Sequence, residues 1–235
     1  MARTEGLNIL GIIPARGGSK GIPHKNIIKL NGKPLIVHTI EAAKKSKLLN
    51  KIVVSTDDKK IATISKRHGI QVIHRPSKLA KDDTGGTPVF IHAIKEIRQE
   101  DFEPDIIVIL QPTSPLRNNQ DIDNAIRLFL NNNCDSVVSI CKVEHPPFWI
   151  FKKTNSDKLN RFIKTGKTIK RRQDSPSLYR LNGAVYVTTK QNLFKTKKII
   201  TSNIRGYVMP VERSIDIDSY FDLKISELLL KHKLV

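Results

Sequence analysis

The chain has 235 residues, 39% of them hydrophobic and 27% charged, which excludes a disordered polyelectrolyte and supplies the core of one large domain. Its longest purely aliphatic run, Ile106 to Leu110, is far short of the ~20 residues a bilayer span needs, and two cysteines, Cys134 and Cys141, exclude a disulfide framework. Forty-one basic against 22 acidic side chains leave a formal net charge of +19, which points to an anionic partner: nucleic acid, an anionic membrane or a phosphorylated substrate.

Asn8 to Pro14 reads as an apolar strand ending in a glycine-rich loop. Pro14, Arg16 and Lys20 fit a secretory signal poorly, so a reducing, cytoplasmic setting is expected. Ile36, Ile40 and Ala43 form a helical stripe that starts at Pro34. Lys51 to Ser55 is a short β-branched strand. Asp57 is placed to cap a helix carrying Ile61 and Ile64, which Gly69 stops before a strand at Ile70 to Ile73. A helix from Pro88 carries Phe90, Ile94 and Ile97, and Ile106 to Leu110 reads as a strand buried on both faces. Ile122, Ile126 and Phe129 mark the next helix, and Ser136 to Cys141 the next strand. The rhythm breaks over 142–180, and Phe148, Trp149 and Phe151 there are read as packing an interface or a small core. Ala184 to Val187 resumes the pattern, and a last helix starts near Ser219, with Asp222 as capping partner and Phe221, Ile225, Leu228 and Leu229 on one face. The alternation predicts an α/β fold with a mostly parallel sheet and helices on both sides. Its units are 1–141 with 181–235, and a separate insertion at 142–180.

In such sheets ligands bind outside the carboxyl ends of the strands. The polar, glycine-bearing segments fall at those ends. After the first strand, Gly17 and Gly18 let backbone N–H groups approach an anion, and Arg16, Lys20 and Lys25 add cations beside Ser19. This is a cradle for a triphosphate, yet neither a Walker A loop nor a dinucleotide fingerprint. In the segment Ser214 to Asp218 an extended chain turns Asp216 and Asp218 to one side while Ile215 and Ile217 seek the core. Two such carboxylates repel each other unless a cation lies between them, and they suit Mg²⁺. The plainer alternative is a solvated strand face. Residues 151–172 hold nine basic side chains and one acid, Asp157, the densest charge run in the chain.

Five segments, IPARGGSKGIPHKN at 13–26, VSTD at 54–57, LQPTSPLR at 110–117, RLNGAVY at 180–186 and SIDID at 214–218, occur in an order that resembles the acylneuraminate cytidylyltransferases. The resemblance implies a Rossmann-like nucleotidyltransferase that joins CMP from CTP to the anomeric hydroxyl of a nonulosonic acid. It implies that Arg16, Gly17, Gly18, Ser19, Lys20, Lys25 and Asn26 hold the nucleotide, with Arg75, Gly85 and Thr87 near cytosine. Gln111, Arg172, Asn182 and Tyr186 match positions near the sugar acid. Asp216 and Asp218 match metal ligands for Mg²⁺, with Mn²⁺ able to substitute, and join Arg16 and Lys25 as the catalytic set. The insertion at 142–180 resembles an arm exchanged between the subunits of a homodimer. Neither a specific nucleic acid nor a membrane is implied as partner. Two rivals stay open: a nucleotidyltransferase for another sugar or nucleotide, and a basic nucleic-acid-binding protein, although aromatics are only 6% of the chain.

Overall fold

The computed structural model describes residues 6–19, 21–163, 171 and 174–235. In chain order the elements are β1 (Ile9–Pro14), β2 (Lys29–Leu30), β3 (Lys33–Pro34), α1 (Leu35–Lys44), β4 (Lys51–Thr56), α2 (Lys59–Arg67), β5 (Gln71–His74), α3 (Gly86–Arg98) and β6 (Ile106–Ile109). They continue with α4 (Asn119–Leu130), β7 (Ser136–Lys142), β8 (Phe151–Lys153), β9 (Leu159–Arg161), β10 (Tyr179–Thr189), α5 (Lys190–Thr196), β11 (Ile204–Val208) and α6 (Tyr220–Lys231).

Seven strands form one sheet in the order β11-β7-β10-β6-β1-β4-β5. The pairings are parallel except those of β10, which runs antiparallel between β6 and β7. Period-two alternation divides the apolar strands between two cores. Ile9 and Ile13 of β1, with Ile106 and Val108 of β6, pack beside Ile36 and Ile40 of α1, Ile61 of α2 and Ile122 and Ile126 of α4. Leu10 and Ile12, with Ile107 and Ile109, face Phe90, Ile94 and Ile97 of α3 and Leu193 of α5. The two-sided arrangement expected from the sequence is therefore present, built from the same residues that carry the periodicity.

Three local expectations change. Asp58, not Asp57, caps α2, accepting from the Ile61 amide at 2.8 Å; Asp57 instead closes the end of β4. Helix α3 begins at Gly86, so Pro88 lies within its first turn, where a missing N–H costs nothing. The Phe221–Leu228 stripe of α6 does not supply its packing: Phe221 is 72% and Leu228 46% exposed, while Leu223 and Leu230 meet the body. The expected capping box between Ser219 and Asp222 is formed.

Within the insertion, β8 and β9 pair with one another as a separate two-stranded sheet. Trp149, Ile150, Phe151 and Phe162 are exposed on the single chain, so they form no core there. Among the described residues no helix is long and apolar enough to cross a membrane.

Candidate active site at the carboxyl ends of the strands

The loop after β1 is pinned to its neighbours before any ligand is considered. Ala15 N–H donates to Ser55 O at 2.9 Å, and the amide of Gly17 to Asp57 Oδ1 at 3.1 Å. A Cβ on Gly17 would sit 2.8 Å from Asp58 Oδ2, so glycine is what permits the loop to lie this close to two acids. Asn26 Nδ2 donates to Arg16 O at 2.9 Å and folds the far end of the loop back on its start. Arg16 Nη1 lies 2.7 Å from Asp82 Oδ1, and Lys25 Nζ lies 2.9 Å from Asp218 Oδ1.

These groups open onto one cleft of about 400 Å³, lined among others by Arg16, Gly18, Ser19, Lys25, Asn26, Arg75, Gln111, Asp216 and Asp218. Segments far apart in sequence, from the ends of β1, β5 and β6 and from the run before α6, thus meet in one place. Arg75 is buried at the edge of this cleft, donating from Nη2 to Ser55 O at 2.7 Å and from Nε to Ser55 Oγ at 3.3 Å. Burial lowers its pKa, and Asp57 partly opposes that.

The carboxylate pair is set by its neighbours. Ile217 is fully buried with Ile22, Leu30 and Leu35, and its amide donates to Thr113 O at 2.8 Å. That anchor leaves Asp216 and Asp218 on the cleft side, as alternation predicts, although the segment is extended chain outside any sheet. The two are not alike. Asp218 is mostly exposed and already has Lys25 as counter-ion, so the expectation of two mutually repelling, uncompensated carboxylates is corrected. Asp216 Oδ1 is buried without a hydrogen-bond partner. Burial raises the Asp216 pKa, Asp218 adds to the rise, and a hydrogen bond from Thr113 opposes it.

Among the described residues no group of three or more His, Cys, Asp or Glu side chains gathers as a metal cage. A cation here would need ligand oxygens beside the two aspartates, which is how Mg²⁺ is commonly held with phosphates. The buried lone oxygen of Asp216 fits that requirement. So does Gly183, whose φ is +74°: a Cβ there would lie 2.6 Å from Gln111 Oε1 and 3.4 Å from Asp216 Oδ2. The space between Gln111 and Asp216 stays open because that residue has no side chain.

A second hollow of about 370 Å³ adjoins the first, sharing Gly86, Phe90 and Gln111 and adding Thr87, Tyr186, Lys197, Lys198, Ile199 and Ile200. Gln111 therefore stands between the two spaces, and Tyr186 and Thr87 belong to the second. Gly85 caps α3 and lines neither. Asn182 is placed inward: Oδ1 accepts from Ser139 Oγ at 2.6 Å and from the Ala184 amide at 3.2 Å, and Nδ2 donates to Ser214 Oγ at 2.9 Å and to Met209 Sδ at 3.3 Å. It ties β7, β10 and the segment leading to Asp216 together. Lys20 and Arg172 lie outside the described residues.

Nothing in the sequence singles out Arg117, the last residue of the third motif, among the residues of the site. Its buried guanidinium donates from Nη1 to Gln111 O at 3.2 Å, Ser114 O at 3.3 Å and Ala184 O at 3.0 Å. It thus locks the turn carrying Gln111 and Thr113 to β10, and burial lowers its pKa to about 10. Asp82 is equally silent in the sequence, because nothing in a lysine- and aspartate-rich turn signals which acid meets a cation from elsewhere.

A family model described as cytidylyltransferase matches residues 10–222. The chain is 37% identical over 215 residues to an N-acylneuraminate cytidylyltransferase of Streptococcus agalactiae serotype III, a match covering 90% of this chain and 50% of that protein. The chain therefore spans about half the length of that curated relative. It is 33% identical over 229 residues to the CMP-N,N'-diacetyllegionaminic acid synthase of Legionella pneumophila, covering 96% of this chain and 97% of that one. A solved structure of CMP:2-keto-3-deoxy-manno-octonic acid synthetase complexed with CTP has the same fold, with a TM-score of 0.73 at 18% identity over 96% of this chain and 99% of the other.

Proposed function

Because the chain belongs to the cytidylyltransferase family, we propose that it transfers CMP from CTP to the anomeric hydroxyl of a nonulosonic acid, releasing pyrophosphate. The observation that carries this reading is the single cleft in which a glycine loop with Arg16 and Lys25 faces the Asp216–Asp218 pair. The hydroxyl oxygen forms a bond to the α-phosphorus, the bond from that phosphorus to the bridging oxygen of the β-phosphate breaks, and the hydroxyl proton passes to solvent water. The protein forms no covalent intermediate. Arg16 and Lys25 bind the charged phosphates, and the amides of the loop, with Ser19, orient them. Gln111, at the border of the two spaces, is positioned to hold the sugar acid against the nucleotide, with its substituents toward Tyr186, Ile199 and Ile200. Mg²⁺ held by Asp216, Asp218 and phosphate oxygens would supply charge neutralisation at the reacting phosphate.

The arm at 142–180 fits a homodimer contact, since β8 and β9 present exposed Phe151 and Leu159 and, among the described residues, form a two-stranded sheet separate from the main one. The two named relatives act on different sugar acids by name, N-acylneuraminate and N,N'-diacetyllegionaminate. N-acetylneuraminate stands first for this chain and legionaminate second. The test is pyrophosphate release from each nucleoside triphosphate against a panel of nonulosonic acids. Release with CTP and one of these acids supports the reading. Activity confined to another nucleotide, or to a sugar of another class, overturns it.

A further inference from the structure

Two anion-binding groups of the loop, Arg16 and the Gly17 amide, already have carboxylate partners. Arg16 Nη1 meets Asp82 Oδ1 at 2.7 Å, and the Gly17 amide donates to Asp57 Oδ1 at 3.1 Å. Each carboxylate oxygen sits on a group that a phosphate oxygen would use. The two contacts differ in their support. Asp57 closes the end of β4 and belongs to the frame. Asp82 lies in the turn between Leu79 and α3, and with Arg16 it lines the cleft. The Arg16 and Asp82 side chains are 32% and 49% exposed, so their contact can exchange with an anion arriving from solvent.

We propose that Asp82 sets the nucleotide affinity of the cleft: it holds Arg16 when the cleft is empty, yields it to a phosphate of CTP, and retakes it as pyrophosphate departs. The proposal rests on the function argued above. Two effects of the same sign support it. Binding must first break the ion pair, and the charge of Asp82 also repels a triphosphate in the same cleft. Both weaken with salt, because the groups are partly exposed.

Asp82→Asn keeps the side-chain shape and removes the charge. Titration calorimetry should show CTP and inorganic pyrophosphate each binding roughly three- to tenfold tighter than to wild type at low salt, with the gain shrinking as salt rises. In steady state the KM for CTP should fall without a rise in kcat, and product inhibition by pyrophosphate should strengthen. Asp101→Asn, an exposed acid in the turn before β6 at the other end of the sheet, should change neither affinity. In an Arg16→Ala background the gain from Asp82→Asn should shrink. Unchanged or weaker binding by Asp82→Asn, an equal gain from Asp101→Asn, or an undiminished gain without Arg16 each overturns the proposal. Failure of wild type to bind CTP would instead count against the function, and the pyrophosphate titration would still decide the exchange at Arg16.

Discussion

Asp216 and Asp218 stand two residues apart and should answer substitution differently. Asp216→Asn removes a buried charge whose Oδ1 has no partner, so the melting temperature of the ligand-free protein should hold or rise while kcat falls by about 10² or more. Asp218→Asn leaves Lys25 without its counter-ion, but that pair is largely exposed on the aspartate side, so stability should change little while turnover again falls. Paired melting and pyrophosphate-release measurements read both. Turnover near wild type in the double variant at saturating Mg²⁺ and CTP would remove the pair from catalysis. Arg16→Ala should lower kcat/KM by about 10², and a variant within about twofold of wild type would take Arg16 out of the mechanism. His38 carries a different prediction. Burial, aided by Lys33, lowers its pKa below the ordinary 6.5 against the pull of the Leu30 carbonyl and Glu41. The unfolded chain therefore binds the proton first. Stability should be full above the unfolded value and decline as pH falls through it towards the lower folded value. His38→Gln should flatten that slope in denaturant unfolding; an unaltered slope would assign it to other groups.

Strand β10 joins the elements of the site. Its register slips between Leu181 and Tyr186, and within that slip Asn182 turns inward and Gly183 takes a left-handed conformation. Asn182→Ala should cost roughly 1–3 kcal/mol of unfolding free energy, because Ser139 and Ser214 lose a buried partner. A change below the error of a urea titration would show that these hydroxyls find other partners. The arm gives a further test: deleting 146–170 should yield a monomer with crippled sugar use, and a fully active wild-type monomer in light scattering would sink the dimer. The alternation of strands and helices, the glycine loop and the aspartate pair were legible in the sequence because each is written in neighbouring residues. The antiparallel sense of β10 was not, since an apolar strand pattern carries no direction. Nor was the choice of Asp58 over Asp57 as the cap, because it depends on where β4 stops. Asn182 reads as a polar residue beside a glycine in a motif, and only the packing of β7 and Met209 against it shows that it faces inward.

For the whole molecule, the net charge of +19 suits the two anionic substrates proposed above. The arm contributes much of it, yet Phe151 there already has Arg161 over its ring at 5.5 Å, leaving that face unavailable for stacking on a base. The KM for CTP should rise severalfold between about 50 and about 200 mM salt through screening of the cleft. A salt-independent KM would locate the excess charge away from the substrate path. The contact between Lys25 and Asp218 joins positions 193 residues apart, the first loop of the sheet to the last extended segment before α6. Closing so long a loop is entropically only slightly harder than closing one half its length, but it imposes an order in time. During synthesis the glycine loop emerges early and must wait, without its lysine's partner, until Asp218 has cleared the ribosome. A nascent chain has all seven strands of its main sheet in hand at Val208, before Ile217 can cover Ile22, Leu30 and Leu35 and before Asp218 can reach Lys25.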